Sequence, residues 1–229
     1  MNKKLGIIVG VIIVILLVVA IIIPSKETVY EEKLLGIDYD IEGNEASLSY
    51  DTDNPVVAMY IEKYGSIVME LYPDIAPNTV NNFISLVKKG FYDGNSFHRL
   101  MPGFVLQGGD PQGVGSGGPG YNIFGEFTNN GFVNNLSHEK GVISMARATP
   151  PNTAGSQFFI CLGDARSSLD GSYAAFGKVI DGFDSIETIE SREIIANSES
   201  GKLQHNLVIK KALVDLKGKE YPEPDILPE

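Results

Sequence analysis

The pattern of hydrophobic and polar positions divides the chain into three parts. Residues 5–23 are apolar or glycine at every position. As a helix this run covers about 28 Å at ~1.5 Å per residue, close to the hydrocarbon thickness of a bilayer. Residues 24–52 are polar and acidic, with scattered apolar positions such as Leu34, Leu35 and Ile37, and read as a stalk. From about Asp53 the periodicity becomes that of a folded domain. Residues 56–61 read as a strand, and in residues 66–71 Ile67, Met69 and Leu71 alternate onto one face. Tyr64-Gly65 between them marks the turn of a β-hairpin. Pro77 opens a helix where a missing N–H costs little. Val80, Phe83, Ile84 and Val87 then follow at i, i+3, i+4 and i+7 as one apolar face, and Gly90 ends the helix.

Between Phe97 and about Val179, short apolar runs alternate with Gly-, Asn- and Pro-rich turns, the rhythm of a closed or sandwich-like β structure. A second helix is predicted over residues 182–191, with Phe183, Ile186 and Ile189 turned inward. Residues 197–201 form a turn. A last strand, residues 207–216, changes face around Lys210 and Lys211, which predicts a bulge there. From Lys217 the chain is rich in proline and acid and is predicted to be frayed. The pattern therefore gives a mainly β domain at residues 53–218, a barrel with helices over its open ends, and a tail at 219–229.

Charge adds a topology. Lys3 and Lys4 precede the apolar run, and Glu27, Glu31 and Glu32 follow it. The positive-inside rule keeps residues 1–4 cytoplasmic and sends the domain across, so the expected location is a cell membrane with the domain extracytoplasmic. The run is long for a secretory signal. Its end, residues 20–25, lacks a small-x-small cleavage pattern, so an uncleaved anchor is favoured over a signal peptide. The formal net charge of −11 argues against a nucleic-acid partner, because an acidic domain repels phosphates. The single cysteine, Cys161, lies in an apolar run and reads as a buried small hydrophobe. The three histidines, His98, His138 and His205, are far apart with no HExxH pattern, which argues against a metal site.

Three segments carry more specific information. Residues 97–110 read FHRLMPGFVLQGGD. Residues 141–146 read GVISMA and are followed by NTAGSQFFI at 152–160. Leu169-Asp170-Gly171 is followed by FGKV at 176–179. In content, order and spacing these resemble the cyclophilins, the likeness running from about Val56 to Leu216. The resemblance implies an eight-stranded antiparallel closed β-barrel capped by two α-helices. It implies peptidyl-prolyl cis/trans isomerase activity, no cofactor, and unfolded or nascent secreted Xaa-Pro-containing polypeptides as partners. By position the catalytic arginine is Arg99, and Phe104, Val105, Phe159 and Leu169 form the proline pocket. Gln107 orients the arginine and binds substrate backbone. Ala146 and Arg147 offer main-chain groups, Gln157 lines the adjoining groove, and His98 and Tyr173 flank the site.

The residue types suit that chemistry. Rotation about an amide faces a barrier of ~18–20 kcal/mol because the C–N bond is partly double. The two forms of an Xaa-Pro bond differ by only ~0.5–1 kcal/mol. A catalyst has only to favour the twisted state, in which the prolyl nitrogen becomes pyramidal and gains a usable lone pair. A fixed donor aimed at that nitrogen binds the twisted state better than either planar form. Two other readings of the groove remain open at this level, a non-catalytic proline-peptide-binding module and a holdase.

Several positions depart from the family's common pattern. Ser168 stands where many eukaryotic members carry the tryptophan that helps bind cyclosporin, so binding of that inhibitor is expected to be weak. Tyr173 stands where histidine is common. Arg147 replaces a common asparagine, a change expected to matter little if only the backbone is used. The Ala148-Thr149-Pro150-Pro151 loop is one residue longer than usual. Residues 115–120 fit G-x-G-x-x-G, but Pro119 and the residues after it do not start a helix, so a flexible loop beside the groove is expected rather than a dinucleotide site.

Overall fold

The structure, a computed structural model, describes residues 44–228. In chain order its elements are β1 (Val56–Ile61), β2 (Gly65–Leu71), α1 (Pro77–Lys88), β3 (Ser96–Met101), β4 (Val105–Gly108), β5 (Asn122–Ile123), β6 (Val142–Met145), β7 (Phe158–Cys161), α2 (Arg166–Leu169), β8 (Ala175–Asp181), α3 (Phe183–Arg192), β9 (Ile195–Asn197), β10 (Lys202–Asp215) and β11 (Ile226–Leu227). The main sheet has nine strands in the order β1-β2-β8-β6-β7-β4-β3-β10-β9, and β10 also pairs with β1. That last pairing closes the sheet. Since β9 attaches to β10 alone, the closed ring holds eight antiparallel strands, as expected.

Closure gives the barrel an inside and an outside, and strand alternation assigns residues to them. Phe97, Leu106, Phe158, Ile160 and Phe176 turn inward, where α1 adds Val80 and Phe83 and α3 adds Ile186 and Ile189. Phe158 is the hub of this interior. Its ring meets Phe83 at 5.2 Å, Tyr92 at 5.6 Å and Phe97 at 5.6 Å, all edge to face.

Both predicted helices form close to their expected bounds. Ala76 before α1 and Thr79 in its first turn are buried, and Ala76 supplies no side-chain cap. Glu126 does so from a distant loop: Oε1 accepts from the Asn78 N–H at 3.0 Å, and Oε2 accepts from the Thr79 N–H and hydroxyl at 2.7 Å each. A carboxylate is favoured there by the helix dipole as well. The bulge expected near Lys210 is present, because Tyr60 faces Lys211 while Ile61 faces Ile209.

Three expectations need correction or limits. First, the last strand begins at Lys202, well before residue 207, because its early half pairs with β9. Second, the tail is ordered. Tyr221 packs on the core, and Glu223 pairs with Lys89 at 2.7 Å and accepts from the Ser85 hydroxyl at 2.8 Å. The Asp225 N–H donates to Asn78, and β11 pairs with β5. Prolines bar helix but suit an extended strap, and α1 offers the partners. Third, part of the predicted stalk docks on the barrel. The Ala46 N–H donates to the Val214 carbonyl at 2.9 Å, and Leu48 is buried. The apolar run at residues 5–23 lies outside the described residues; among those described, no helix is long and apolar enough to cross a membrane.

Candidate active site

The outward-facing residues of the same strands build a second apolar cluster. Val105 of β4, Val142 of β6, Phe159 and Cys161 of β7 and Ala175 of β8 gather there with Leu169 of α2, and Phe104, Ala146 and Tyr173 pack around them. Burial pushes the Cys161 thiol up to about 12, so it stays protonated and serves as packing. Over this cluster opens a cavity of about 170 Å³ lined by Arg99, Phe104, Val105, Gln107, Ala146, Arg147, Phe159, Leu169 and Tyr173. A cavity of ~150 Å³ is enough to hold a benzene-sized ring. The floor is 4% exposed at Phe159 and 6% at Leu169.

A β-bulge places the arginine. In the β3–β4 pairing Phe97 faces Gly108 while Arg99 faces Gln107, so His98 is the extra residue. The bulge lets Phe97 and Leu100 both reach the core while Arg99 projects outward. Arg99 Nε donates to the Ser200 carbonyl at 2.8 Å, and Nη1 donates to Gln107 Oε1 at 3.1 Å. Gln107 Nε2 donates to Gln157 Oε1 at 3.0 Å, and Gln157 Nε2 donates to the Gly117 carbonyl at 2.9 Å. Because a guanidinium can only donate, it forces both amide orientations in turn. Among the described residues Nη2 makes no hydrogen bond, so one edge of the guanidinium stays available. Burial lowers the Arg99 pKa, against an opposing pull from Tyr173. The group remains a cation, as arginine does in proteins.

Behind the pocket lies a relay that sequence reading missed. His138 stacks on Phe159, with centroids 6.1 Å apart, and Tyr173 meets the same ring edge-on at 5.6 Å. His138 Nδ1 lies 2.8 Å from Asp170 Oδ1, which also accepts the His138 backbone N–H, and Nε2 lies 3.0 Å from Ser144 Oγ. Burial pushes the imidazole pKa down, against the upward pull of Asp170. A neutral ring donates from Nδ1 to the carboxylate and accepts the Ser144 proton at Nε2. Burial alone would raise the Asp170 carboxyl, but the hydrogen bonds from the His138 backbone and ring outweigh it and hold it low. Ser, His and Asp stand here in the order of a hydrolytic triad. Ser144 is 0% and His138 1% exposed, so no substrate reaches them, and the relay braces Phe159 instead.

A larger cavity of about 390 Å³ adjoins the first and shares Gln107, Ala146 and Arg147 with it. The glycine-rich loop forms one wall, beside Tyr121, Thr153 and Gln157. Buried Asp110 organises that loop. Its Oδ2 accepts the N–H groups of Val114, Gly115 and Ser116, at 3.0, 2.5 and 3.0 Å. No helix follows residues 115–120, so the G-x-G-x-x-G string is a groove wall.

The structure adds detail at two site residues. His98, expected to flank the site, lies beside Arg99 and against Gly115 of the larger cavity's wall, and is itself in the lining of neither cavity. As the bulged residue it is 5% exposed beneath Gly115, and among the described residues neither ring nitrogen has a hydrogen-bond partner. Arg147 does more than lend its backbone. Its guanidinium donates to the Ser172, Ala148 and Thr149 carbonyls and lies 4.8 Å from the Tyr173 ring centroid. The two departures from the family pattern thus form one cation–π pair that fastens the rim. The Ala146 N–H is already given to the Gln157 carbonyl, so among the described residues its main-chain group without a hydrogen bond is the oxygen.

Comparison with known proteins settles the family. The family model described as "Cyclophilin type peptidyl-prolyl cis-trans isomerase/CLD" matches residues 56–214. The chain belongs to the cyclophilin-type peptidyl-prolyl cis-trans isomerases. Peptidyl-prolyl cis-trans isomerase B of Bacillus subtilis is 44% identical over 135 residues, 59% of this chain and 90% of that protein. A peptidyl-prolyl cis-trans isomerase of Helicobacter pylori strain 26695 is 44% identical over 133 residues, 57% of this chain and 78% of that one. The solved structure of a Cryptosporidium parvum cyclophilin, in the presence of the dipeptide Ala-Pro, aligns with a TM-score of 0.61 at 34% identity. It covers 69% of this chain and 98% of that one. This cyclophilin is therefore an enzyme that interconverts the two forms of the bond before proline.

Proposed function

We propose that this cyclophilin accelerates prolyl isomerisation by donating from Arg99 to the prolyl nitrogen as it pyramidalises, while Phe104, Val105, Phe159 and Leu169 grip the proline ring. The observation that carries this reading is the uncommitted edge of the Arg99 guanidinium on the rim of a ring-sized cavity floored by Phe159 and Leu169. The ring is held while the acyl side turns. Gln107 fixes the arginine, and the remaining carbonyl of Ala146 is placed to accept from the substrate backbone. No proton is transferred and no bond is made, so no nucleophile is needed. The Cryptosporidium relative's structure with Ala-Pro is consistent with a proline-containing ligand for this groove. Ser168, exposed at the rim, supplies no indole, and weak binding of cyclosporin is the corresponding reading.

The apolar run at residues 5–23, with lysines before it and acids after it, supports a membrane anchor that holds the domain on the outer face. The clients there are emerging polypeptides whose prolyl isomerisation takes tens to hundreds of seconds uncatalysed. Protease added to intact cells should release the domain; a protected domain overturns the orientation. Exchange of an Xaa-Pro peptide followed by NMR tests the chemistry. Exchange lost in Arg99→Ala with peptide still bound supports the enzyme reading. Binding without exchange in the unaltered chain supports a proline-peptide-binding module instead.

A further inference from the structure

Strands β3 and β10 run out of step beside the arginine. Lys202 faces Arg99 and Leu207 faces Phe97, so the four β10 residues between them have only His98 opposite. On its other edge β10 meets β9, Lys202 facing Asn197 and Leu203, the first of the four, facing Ile195, while the Gln204 N–H donates to the Ile194 carbonyl at 2.8 Å. The turn between the two strands is tightly tied. The Gly201 N–H donates to the Asn197 carbonyl at 2.8 Å, and the Ser200 N–H donates to Asn197 Oδ1 at 2.9 Å. Gly201 takes a φ of +71°, a conformation glycine adopts freely. Its carbonyl accepts from the Leu100 N–H at 2.8 Å. Leu203 and Leu207 are buried, and Asn206 Nδ2 donates to the Gly113 carbonyl at 2.9 Å, which ties the same strand to the glycine-rich loop. Each tie holds the hairpin in place, and the hairpin holds the Ser200 carbonyl 2.8 Å from Arg99 Nε.

From this geometry we propose that the β9–β10 hairpin, acting through the main-chain carbonyl of Ser200, is the positioning element for the Arg99 guanidinium. The inference rests on Arg99 being the catalytic donor. One acceptor, Gln107, leaves a planar guanidinium free to swing about a single hydrogen bond. A second acceptor on a different edge fixes the plane and aims the Nη2 edge. Donors act on a transition state only when they are already oriented, and a displacement of ~1 Å can cost about a hundredfold. Asn197 is a positioning residue at second remove, because its side chain sets the direction of the Ser200 peptide.

The test uses the full-length chain and two ways of moving that carbonyl. Asn197→Ala removes the Oδ1 acceptor from an exposed turn. Gly201→Ala adds a Cβ that meets the Leu100 carbonyl and Met101 side chain at 2.8 Å in a backbone already at positive φ. Should Gly201→Ala fail to fold, Asn197→Ala carries the test. Asn197→Ala should lower kcat/KM on an Xaa-Pro peptide about tenfold, through kcat with KM unchanged. The NMR signal of the Arg99 Nε–H should move toward that of an unbonded guanidinium. In an Arg99→Lys background, already slow, Asn197→Ala should cost nothing more, because coupled residues are not additive. A wild-type rate and unmoved signal in Asn197→Ala, with Arg99→Lys slow, overturn the role of the hairpin alone. So does an equal loss in both backgrounds. Full activity in Arg99→Lys overturns the reading of Arg99 and this inference with it.

Discussion

Two aromatic groups sit back to back on one sheet and do different work. Phe158 points into the barrel among Phe83, Tyr92 and Phe97, where every ring is fully enclosed. Phe159, the next residue, points outward and floors the cavity, braced by His138 and Tyr173. The inner group is held by mutual burial. The outer ring floors a cavity instead, and it is held from behind by a hydrogen-bonded relay and from the side by a second ring. On the proposed reading of the pocket, consecutive residues of one strand divide stability from recognition.

Substitutions can break that division, and they are ordered here from the largest expected effect. Phe158→Ala should cost about 3–5 kcal/mol of unfolding free energy in a denaturant titration, from lost burial plus the cavity left behind. A loss below ~1 kcal/mol would show that the interior repacks around the gap. Arg99→Ala should lower kcat/KM for an Xaa-Pro peptide by about a hundredfold or more, as loss of a transition-state donor does elsewhere. The same change should leave the denaturant midpoint nearly unmoved. Phe159→Leu should raise KM several-fold at a stability cost of about 1 kcal/mol, the usual range for apolar swaps. If Phe159→Leu instead left KM unchanged and cost as much stability as Phe158→Ala, the outer ring would belong to the core.

Acid should separate the groups further. Burial holds the pKa values of His98 and His138 below the ordinary value. The unfolded chain therefore takes up protons first as pH falls through the free histidine value near ~6.5. Stability should drop over that window and on toward the folded pKa values. Hydrogen bonds hold Asp170 low, so its contribution is lost only at lower pH still. Urea midpoints at pH 7.5 and 5.5 should differ less in His98→Asn than in the unaltered chain; equal differences would remove His98 as a source of acid sensitivity. The smallest effect is expected at the rim, where Ser168→Trp should leave the isomerisation rate within about twofold, since an exposed change away from the pocket floor disturbs little.

Much of the barrel was legible because its signals are local. Ile67, Met69 and Leu71 alternate, Val80, Phe83, Ile84 and Val87 repeat at helical spacing, and a face change at Lys210 announces a bulge. Most of the pocket was legible through the resemblance, and Arg99, Phe104, Val105, Gln107, Phe159 and Leu169 do meet around one cavity. The enclosure of His98 beneath Gly115 was not legible, because the bulge at His98 depends on the pairing of β3 with β4. The tail was misread because its partners, Asn78 and Ser85 of α1 and Lys89 just after it, lie far back in the chain. Arg147 was undervalued for a related reason, since its partner ring on Tyr173 is remote in sequence.

By itself the amino-acid order determined which stretches are strand and helix, which residues can donate or pack, and that the set matches one isomerase family. These follow from periodicity and side-chain chemistry, which act over a few neighbouring residues. The tertiary structure alone decided that the Ser200 carbonyl meets Arg99, that His138 braces Phe159, and that Glu126 caps a helix 48 positions earlier. Those contacts come from barrel closure, which sets the register of distant strands, and a main-chain carbonyl carries no mark in the sequence of the group it will face.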